Sequence, residues 1–510
     1  MTAALAASGP QPWDRRAGAA PPGMLEPMTT LLWLRDDLRT LDHEALTAAI
    51  AEARGQDEGR GDVVALWIRE EGAEDDDAGR LGPRPLGAAT RWWYHRSLEA
   101  LDVRLRDLGI PLVFARGDAR AVVPDVAAGL DASVVRWSRR YAPRSRALDA
   151  QVKTLLGEAG REAHSHPGAL LTEPWEVTTG AGGNYRVFTP FHRAAADVPV
   201  SAVLPVPEAL DGPSARTRDA LAALRDAGVL TDVEGLELLD RTPEWWRDTV
   251  AEHWTPGEEA ALDALDALEV ALDGYGQSRD VPGDPDSTSR LSPRLRSGEL
   301  SPRTLWHAAR RAGESDVAVQ DARAWTRQLY WREFCWSLAY HYADLDSVPL
   351  RPEFGAFPYR PDPALARAWQ RGETGLRLVD AGMRQLWKSG WMHNRVRMAA
   401  ASLFCKNMLQ PWQDGEAWFW DTLVDADEAN NPVSWQWVSG SGADASPYFR
   451  IFNPDTQAVK FDADGRYVAR WVPEADQPLS GYPEPVVDLK ASRQEALDAH
   501  AAMKAAAGLG

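Results

Sequence analysis

Between Trp391 and Pro454 the chain interleaves tryptophans, carboxylates, amides and arginines: WMHNRVRM over Trp391 to Met398, DADEANN over Asp425 to Asn431, and SWQWVSGSGADASPYFRIFNP ending at Pro454. Folding buries part of so dense a stretch, and buried polar groups are costly unless they satisfy one another or surround a polar ligand. A planar cofactor with polar edges meets that condition. A second set, Thr288-Ser-Arg-Leu-Ser292, lies between the turn Pro282-Gly-Asp-Pro285 and a helix predicted from Pro302. Hydroxyls and main-chain N–H groups in a turn ahead of a helix can cradle phosphate without a P-loop. The same residues also serve as ordinary helix caps, so this motif alone leaves both readings open.

The elements that must position these residues follow from periodicity. From Thr29 the pattern runs from the short apolar stretch TLLWL through a polar turn into HEALTAAIAEA, an amphipathic helix. Asp62 to Ile68, Pro111 to Phe114 and Ser133 to Trp137 read as further buried strands, separated by helical stretches such as Thr90 to Gly109. This alternation predicts a doubly wound parallel sheet over residues 29–165. No GxGxxG or GxxxxGK[ST] follows these strands, so nothing there supports dinucleotide or nucleoside-triphosphate binding. Residues 166–240 are Gly/Pro-rich and read as an inter-domain linker. Residues 241–475 show i, i+3, i+4 apolar spacing punctuated by Pro and Gly, which predicts an all-helical second domain. A disordered tail is expected over residues 1–28, with Met24 or Met28 as alternative starts, and a C-terminal tail over residues 476–510.

At 510 residues the chain exceeds what one core usually serves, in keeping with two domains. It carries no apolar run of membrane-spanning length, so a soluble protein with no membrane partner is expected. Two cysteines, Cys335 and Cys405, argue against a disulfide framework and for a reducing cytoplasm, and they supply no cysteine-based metal site. A net charge of −19 opposes nucleic acid only on average, because DNA requires a local basic face. Arg290, Arg294, Arg296, Arg303, Arg310, Arg311, Arg384, Lys388, Arg395, Arg397 and Lys406 lie away from the acidic runs and could provide one. Each also reads as part of a solvated helix face.

In order along the chain, WLRDDLRTLDHEAL (Trp33 to Leu46), TSRLSPRLRSGELSPR, WREF, WMHNRVRM and ANNPVSWQWVSGSGADASPYFRIFNP resemble the DNA photolyase/cryptochrome family. The resemblance extends from Thr29 to about Pro473 and is greatest to the class I-type cyclobutane pyrimidine dimer photolyases. It implies an α/β antenna domain, a helical FAD-binding domain and light-driven repair of pyrimidine dimers in DNA, by a monomer. Carried over residue by residue, it implies Tyr275, Thr288, Ser289, Leu291 and Ser292 at the FAD phosphates, with Trp325 and Arg332 flanking the cofactor and Asn394 beside it. It pairs Arg397 with Asp425, sets Asp427 as acceptor for the flavin imide N–H, and faces Asn431 to flavin N5. Gln328, Trp331, Asn394, Met398 and Trp437 would meet a lesion extruded from the duplex, since enzymes that work on a base take it out of the stack.

Two positions depart from the family pattern. Gln328 stands where the family has Glu, and a neutral amide donates a hydrogen bond but has no acidic proton to lend. Along the family's electron path, Trp435 and Trp412 are followed by Tyr359 where a third tryptophan is usual; a tyrosine must lose its proton when oxidised. Trp418, Phe419 and Trp420 offer alternative routes. A cryptochrome-type photoreceptor is the competing reading. Repair of (6-4) photoproducts would require a His-x-x-x-His pair where this chain has Asn394 and Met398. The antenna chromophore is left open between 8-hydroxy-5-deazaflavin and methenyltetrahydrofolate.

Overall fold

The computed structural model describes residues 28–55, 61–71, 73–75, 79–268, 272–313, 318–444, 449–475, 477 and 481–508. All but Met28 of the expected disordered tail lies outside them. Strands β1 (Thr29–Leu34), β2 (Asp62–Glu70), β5 (Leu112–Gly117), β6 (Ala132–Ser138) and β7 (Glu162–His166) form one parallel sheet in the order β5-β2-β1-β6-β7. The short β3 (Ala73–Asp75) and β4 (Gly79–Leu81) pair antiparallel beside it. Every residue of β1 is buried, as expected for a strand covered on both faces. Leu32 and Leu34 point to the side of α1 (Glu44–Arg54) and α2 (Ala88–Asp107), whereas Leu31 and Trp33 point to α3 (Ala119–Gly129) and α4 (Pro143–Glu158). This is the doubly wound arrangement that the alternating pattern predicts.

The fifth strand, Glu-Ala-His-Ser-His, goes unread in the sequence because it lies at the sheet edge and carries no buried residue. The connection after it is more structured than a linker. It contains α5 (Phe188–Ala196) and a helix over Ala215–Asp226, and it returns to the sheet edge, where the Thr231 N–H donates to the Phe114 carbonyl at 2.8 Å.

The second domain is helical throughout the described residues. The elements that matter most for the site are α6 (Ala318–His341), α7 (Arg377–Ser389), α8 (Asn394–Ser402), α9 (Trp412–Thr422) and α10 (Asn430–Ser439). Gly390, at φ +65°, ends α7 in the left-handed conformation that glycine adopts without strain, and His393 then caps α8 by accepting the Arg395 N–H. Helix α8 widens into a π-helical turn over Leu403–Asn407. The apolar core against α2 also takes in Trp246, Trp254, Trp391 and Val424, so the two domains share a packed interface.

Beyond residue 480, where no motif was legible, an Ala-rich helix α11 (Leu489–Ala506) is capped by Asp488 and buries Ala496, Ala499 and Met503 against Phe354, Phe357 and Leu409. Both cysteines are buried and free. No helix among the described residues is long and apolar enough to cross a membrane.

Candidate functional site

The loop Thr288–Ser292 turns sharply at Arg290, whose φ is +52°. The main-chain N–H groups of Thr288 to Ser292 donate to no other backbone group among the described residues. Unpaired donors are uncommon in a folded chain, and a row of them in one turn suits an anion. The surrounding side chains hold this loop rather than fill it. Trp325 Nε1 donates to Ser289 Oγ at 3.2 Å, Leu291 is buried, and Tyr275 is buried with the Arg279 guanidinium 5.5 Å from its ring.

Ser292 ties the loop to α8. Its hydroxyl donates to Asp425 at 2.7 Å and accepts from Trp391 Nε1 at 3.4 Å. Asp425 in turn receives Arg397 through two bonds of 3.1 and 2.8 Å, a fork geometry that fixes both partners. Asp427 accepts the N–H groups of Ala429 and Asn430 and the Asn430 side-chain amide, closing the turn that starts α10.

Asn431 spends both amide hydrogens on Glu416, at 3.1 Å to its carbonyl and 2.6 Å to its carboxylate. The Asn431 carbonyl oxygen has no donor among the described residues, so it is the atom left to meet a ligand. Glu416 is held from the other domain by Arg84, whose Nη1 lies 2.7 and 2.9 Å from its two oxygens. Burial pushes the Glu416 carboxyl up, and the Arg84 guanidinium opposes the shift. Sequence reasoning did not find the Arg84 and Glu416 pair. The two lie 332 residues apart, and neither belongs to a recognisable motif.

On α6, Gln328 accepts from Arg279 at 3.3 Å and donates to the Ala324 carbonyl at 3.1 Å. Trp331 is half-buried, as are Met398 on α8 and Trp437 on α10, while Asn394 at the start of α8 is exposed. Asn394 and Met398 sit one helical turn apart, with the amide nitrogen 3.8 Å from the sulfur. Arg332, one residue along α6 from Trp331, donates to the Ala169 carbonyl at 2.9 Å and faces the same cleft as Asp427.

The three aromatics of the expected electron path share one apolar cluster, with Trp412 and Trp435 buried within it and Tyr359 packed at its margin. Among the described residues no ring pair joins the three directly. Trp435 instead meets Phe419 edge-on at 5.0 Å and Trp369 at 6.1 Å, and Tyr359 meets Phe357 at 4.7 Å. A Cβ at Gly415 would come within 2.3 Å of Trp435, so only glycine leaves room for the indole there. Burial holds the Tyr359 phenol well above its ordinary range, and it is protonated at neutral pH.

A further cleft opens where strand order reverses, at the carboxyl ends of β1 and β6, the usual ligand site of an open parallel sheet. It encloses about 660 Å³ including its mouth and is lined by Arg35, Asp36, Arg140, Tyr141 and Trp336, with Asp427 reaching in from the helical domain. Arg35 Nε, Arg140 Nε and Trp336 Nε1 are buried without a partner. Orphaned donors around a cavity with aromatic walls fit a planar ligand bearing acceptors.

The basic face expected from the sequence is corrected in composition. Arg294, Arg296, Arg303, Arg384, Arg395 and Arg397 are each engaged by a carboxylate, and Lys406 is buried, donating to the Arg450 carbonyl. Their charge is spent on holding the fold. Arg310 and Arg311 stay exposed outside any ion pair among the described residues, and so do four arginines beside the cleft that the sequence did not single out, Arg186, Arg193, Arg323 and Arg327. These four lie on α5, on α6 or just ahead of α5. The result is a positive rim beside Trp331 on an acidic protein.

Comparison with known proteins adds three findings. One family model, described as DNA photolyase, matches residues 30–209, and another, the FAD binding domain of DNA photolyase, matches residues 325–480. A deoxyribodipyrimidine photo-lyase of Agrobacterium fabrum is 41% identical over 94% of this chain and 99% of its own length, and one of Halobacterium salinarum is 36% identical over 92% and 98%. The crystal structure of a bacterial class III photolyase from Agrobacterium tumefaciens matches with a TM-score of 0.83 at 41% identity, covering 94% of this chain and 99% of that one. The motifs had pointed to a class I-type relative; this neighbour is of class III.

Proposed function

The chain belongs to the DNA photolyase/cryptochrome family, and from that premise we propose that it is a deoxyribodipyrimidine photo-lyase, which uses light to split cyclobutane pyrimidine dimers in DNA. The observation that carries this reading is the row of unpaired N–H groups at Thr288 to Ser292, tied through Ser292 and Asp425 to Arg397, beside an asparagine whose carbonyl oxygen alone is free. That donor and acceptor set fits FAD. Reduced FAD, when bound, supplies an electron donor that light excites.

The chain's own residues perform the rest. The Thr288–Ser292 loop holds the pyrophosphate, and the Asp425 and Arg397 pair fixes the wall beside it. Arg84, through Glu416, keeps Asn431 turned so that its oxygen accepts an N–H. Trp331 and Trp437 stack on the extruded bases, and Met398 and Asn394 close the pocket between them. Gln328 offers a hydrogen bond to a pyrimidine carbonyl, and its Oε1 is already bound to Arg279. The strand-order cleft, with its orphaned Trp336 and arginine donors, is the site that we assign to a second, antenna chromophore.

DNA reaches the pocket across the positive rim of Arg186, Arg193, Arg323 and Arg327. In the dark, FAD-loaded protein should bind a duplex carrying one thymine dimer more tightly than the undamaged duplex. Affinity for both should fall with salt, because each phosphate contact releases counterions. Equal affinity for the two duplexes would contradict the proposal.

A further inference from the structure

We infer that a strap in the inter-domain connection, Arg186 to Phe188, positions both lesion-facing tryptophans at once, with Phe188 and Asp444 as the positioning residues. The inference rests on the reading of Trp331 and Trp437 as the lesion platform. Phe188 is 1% exposed and lies face to face with Trp331, ring centroids 3.6 Å apart and planes within 6°. One face of the Trp331 indole is therefore occupied by protein, which leaves the other for a base.

Phe188 is itself held on several sides. Phe334 meets it edge-on at 5.9 Å, His192 stacks at 5.5 Å, and the Arg327 guanidinium lies 5.0 Å from its ring. Trp331 cannot tilt without moving this set.

The same strap reaches Trp437 through hydrogen bonds. The Asp444 N–H donates to the Arg186 carbonyl at 3.0 Å, and the Asp444 carbonyl accepts from Trp437 Nε1 at 3.1 Å. Burial pushes the Asp444 carboxyl up, and the nearby Phe188 main-chain N–H opposes the shift. The strap is anchored in turn, because Arg186 Nε donates to the Tyr342 hydroxyl at 2.8 Å. Two indoles on different helices, α6 and α10, thus take their orientation from one three-residue segment that neither helix contains. A lesion that stacks on both needs their relative angle fixed beforehand, and fixing it in the free protein removes an ordering cost from binding.

The test compares Phe188→Leu, Phe188→Tyr and Tyr342→Phe with wild type, all FAD-loaded. Tyr342→Phe removes the hydroxyl that anchors Arg186, while the main-chain bonds through Asp444 stay available. Phe188→Leu and Tyr342→Phe should raise KM for dimer-containing DNA between about threefold and tenfold, the range expected for loss of one oriented aromatic contact or one hydrogen bond. Repair per photon at saturation, FAD content and affinity for undamaged duplex should not change. Phe188→Tyr, which keeps the stacked ring, should behave as wild type. Should Phe188→Leu fail to hold FAD, Tyr342→Phe decides alone. Unchanged KM in the variants, or equal losses for damaged and undamaged DNA, would overturn the inference while leaving the repair reading intact. A wild-type protein with no preference for dimers would instead overturn the repair reading.

Discussion

Asp425→Ala yields a protein that folds but purifies almost free of FAD. Asp425 is 4% exposed and Arg397 23%, and the carboxylate joins the arginine to the Ser292 end of the N–H loop. Removing one partner of such a pair leaves an uncompensated charge, at a cost of about 3 to 5 kcal/mol for fully buried cases. Partial access of water to Arg397 places this pair toward the lower end. Even about 3 kcal/mol amounts to more than a hundredfold in affinity if it falls on the cofactor-holding state. Asp425→Asn keeps an acceptor for Ser292 but loses the charge, and should retain an intermediate amount. Release by denaturation and chromatography gives the FAD-to-protein ratio directly; an undiminished ratio in Asp425→Ala would show that this pair does not hold the site.

The second large effect is on lesion binding. Trp331→Ala and Trp437→Ala should each weaken binding of dimer-containing duplex by roughly 1 to 3 kcal/mol, the range for loss of one aromatic base platform. That corresponds to about fivefold to 150-fold in Kd. FAD content should hold, because neither indole makes a hydrogen bond to the loop or to the Asp425 pair. Trp331→Ala should also lower stability, since it uncovers the face of Phe188. Titration of labelled duplexes in the dark separates the two effects, and full affinity in both variants would remove these residues from the lesion pocket.

Much of this molecule is legible in its sequence where local chemistry decides structure. The apolar runs TLLWL and DVVALWI announce buried strands, and Thr288–Ser292, Asp425 and Arg397 fall in motifs dense enough to mark a site. What is not legible depends on distant partners. Strand β7 is polar because it lies at an edge, so no alternation reveals it. Arg84 orients Asn431 through Glu416 across the domain interface, and no spacing encodes that link. The arginines that looked like a DNA face are mostly neutralised by acids remote in sequence, such as Arg303 by Asp42 and Arg296 by Asp36. A count of charges along the chain cannot show which of them are paired. Phe188 reads as one apolar residue in a connection, and only packing reveals it beneath Trp331.

The central claim is tested most directly by illumination. Protein loaded with FAD, chemically reduced and mixed with an oligonucleotide carrying one thymine dimer, should restore the two thymines under blue light and leave the dimer intact in darkness, as followed by chromatography of the strand. No restoration in light by protein that retains FAD and binds the dimer, together with a light-dependent change in protease sensitivity, would contradict the account and point to a photoreceptor instead.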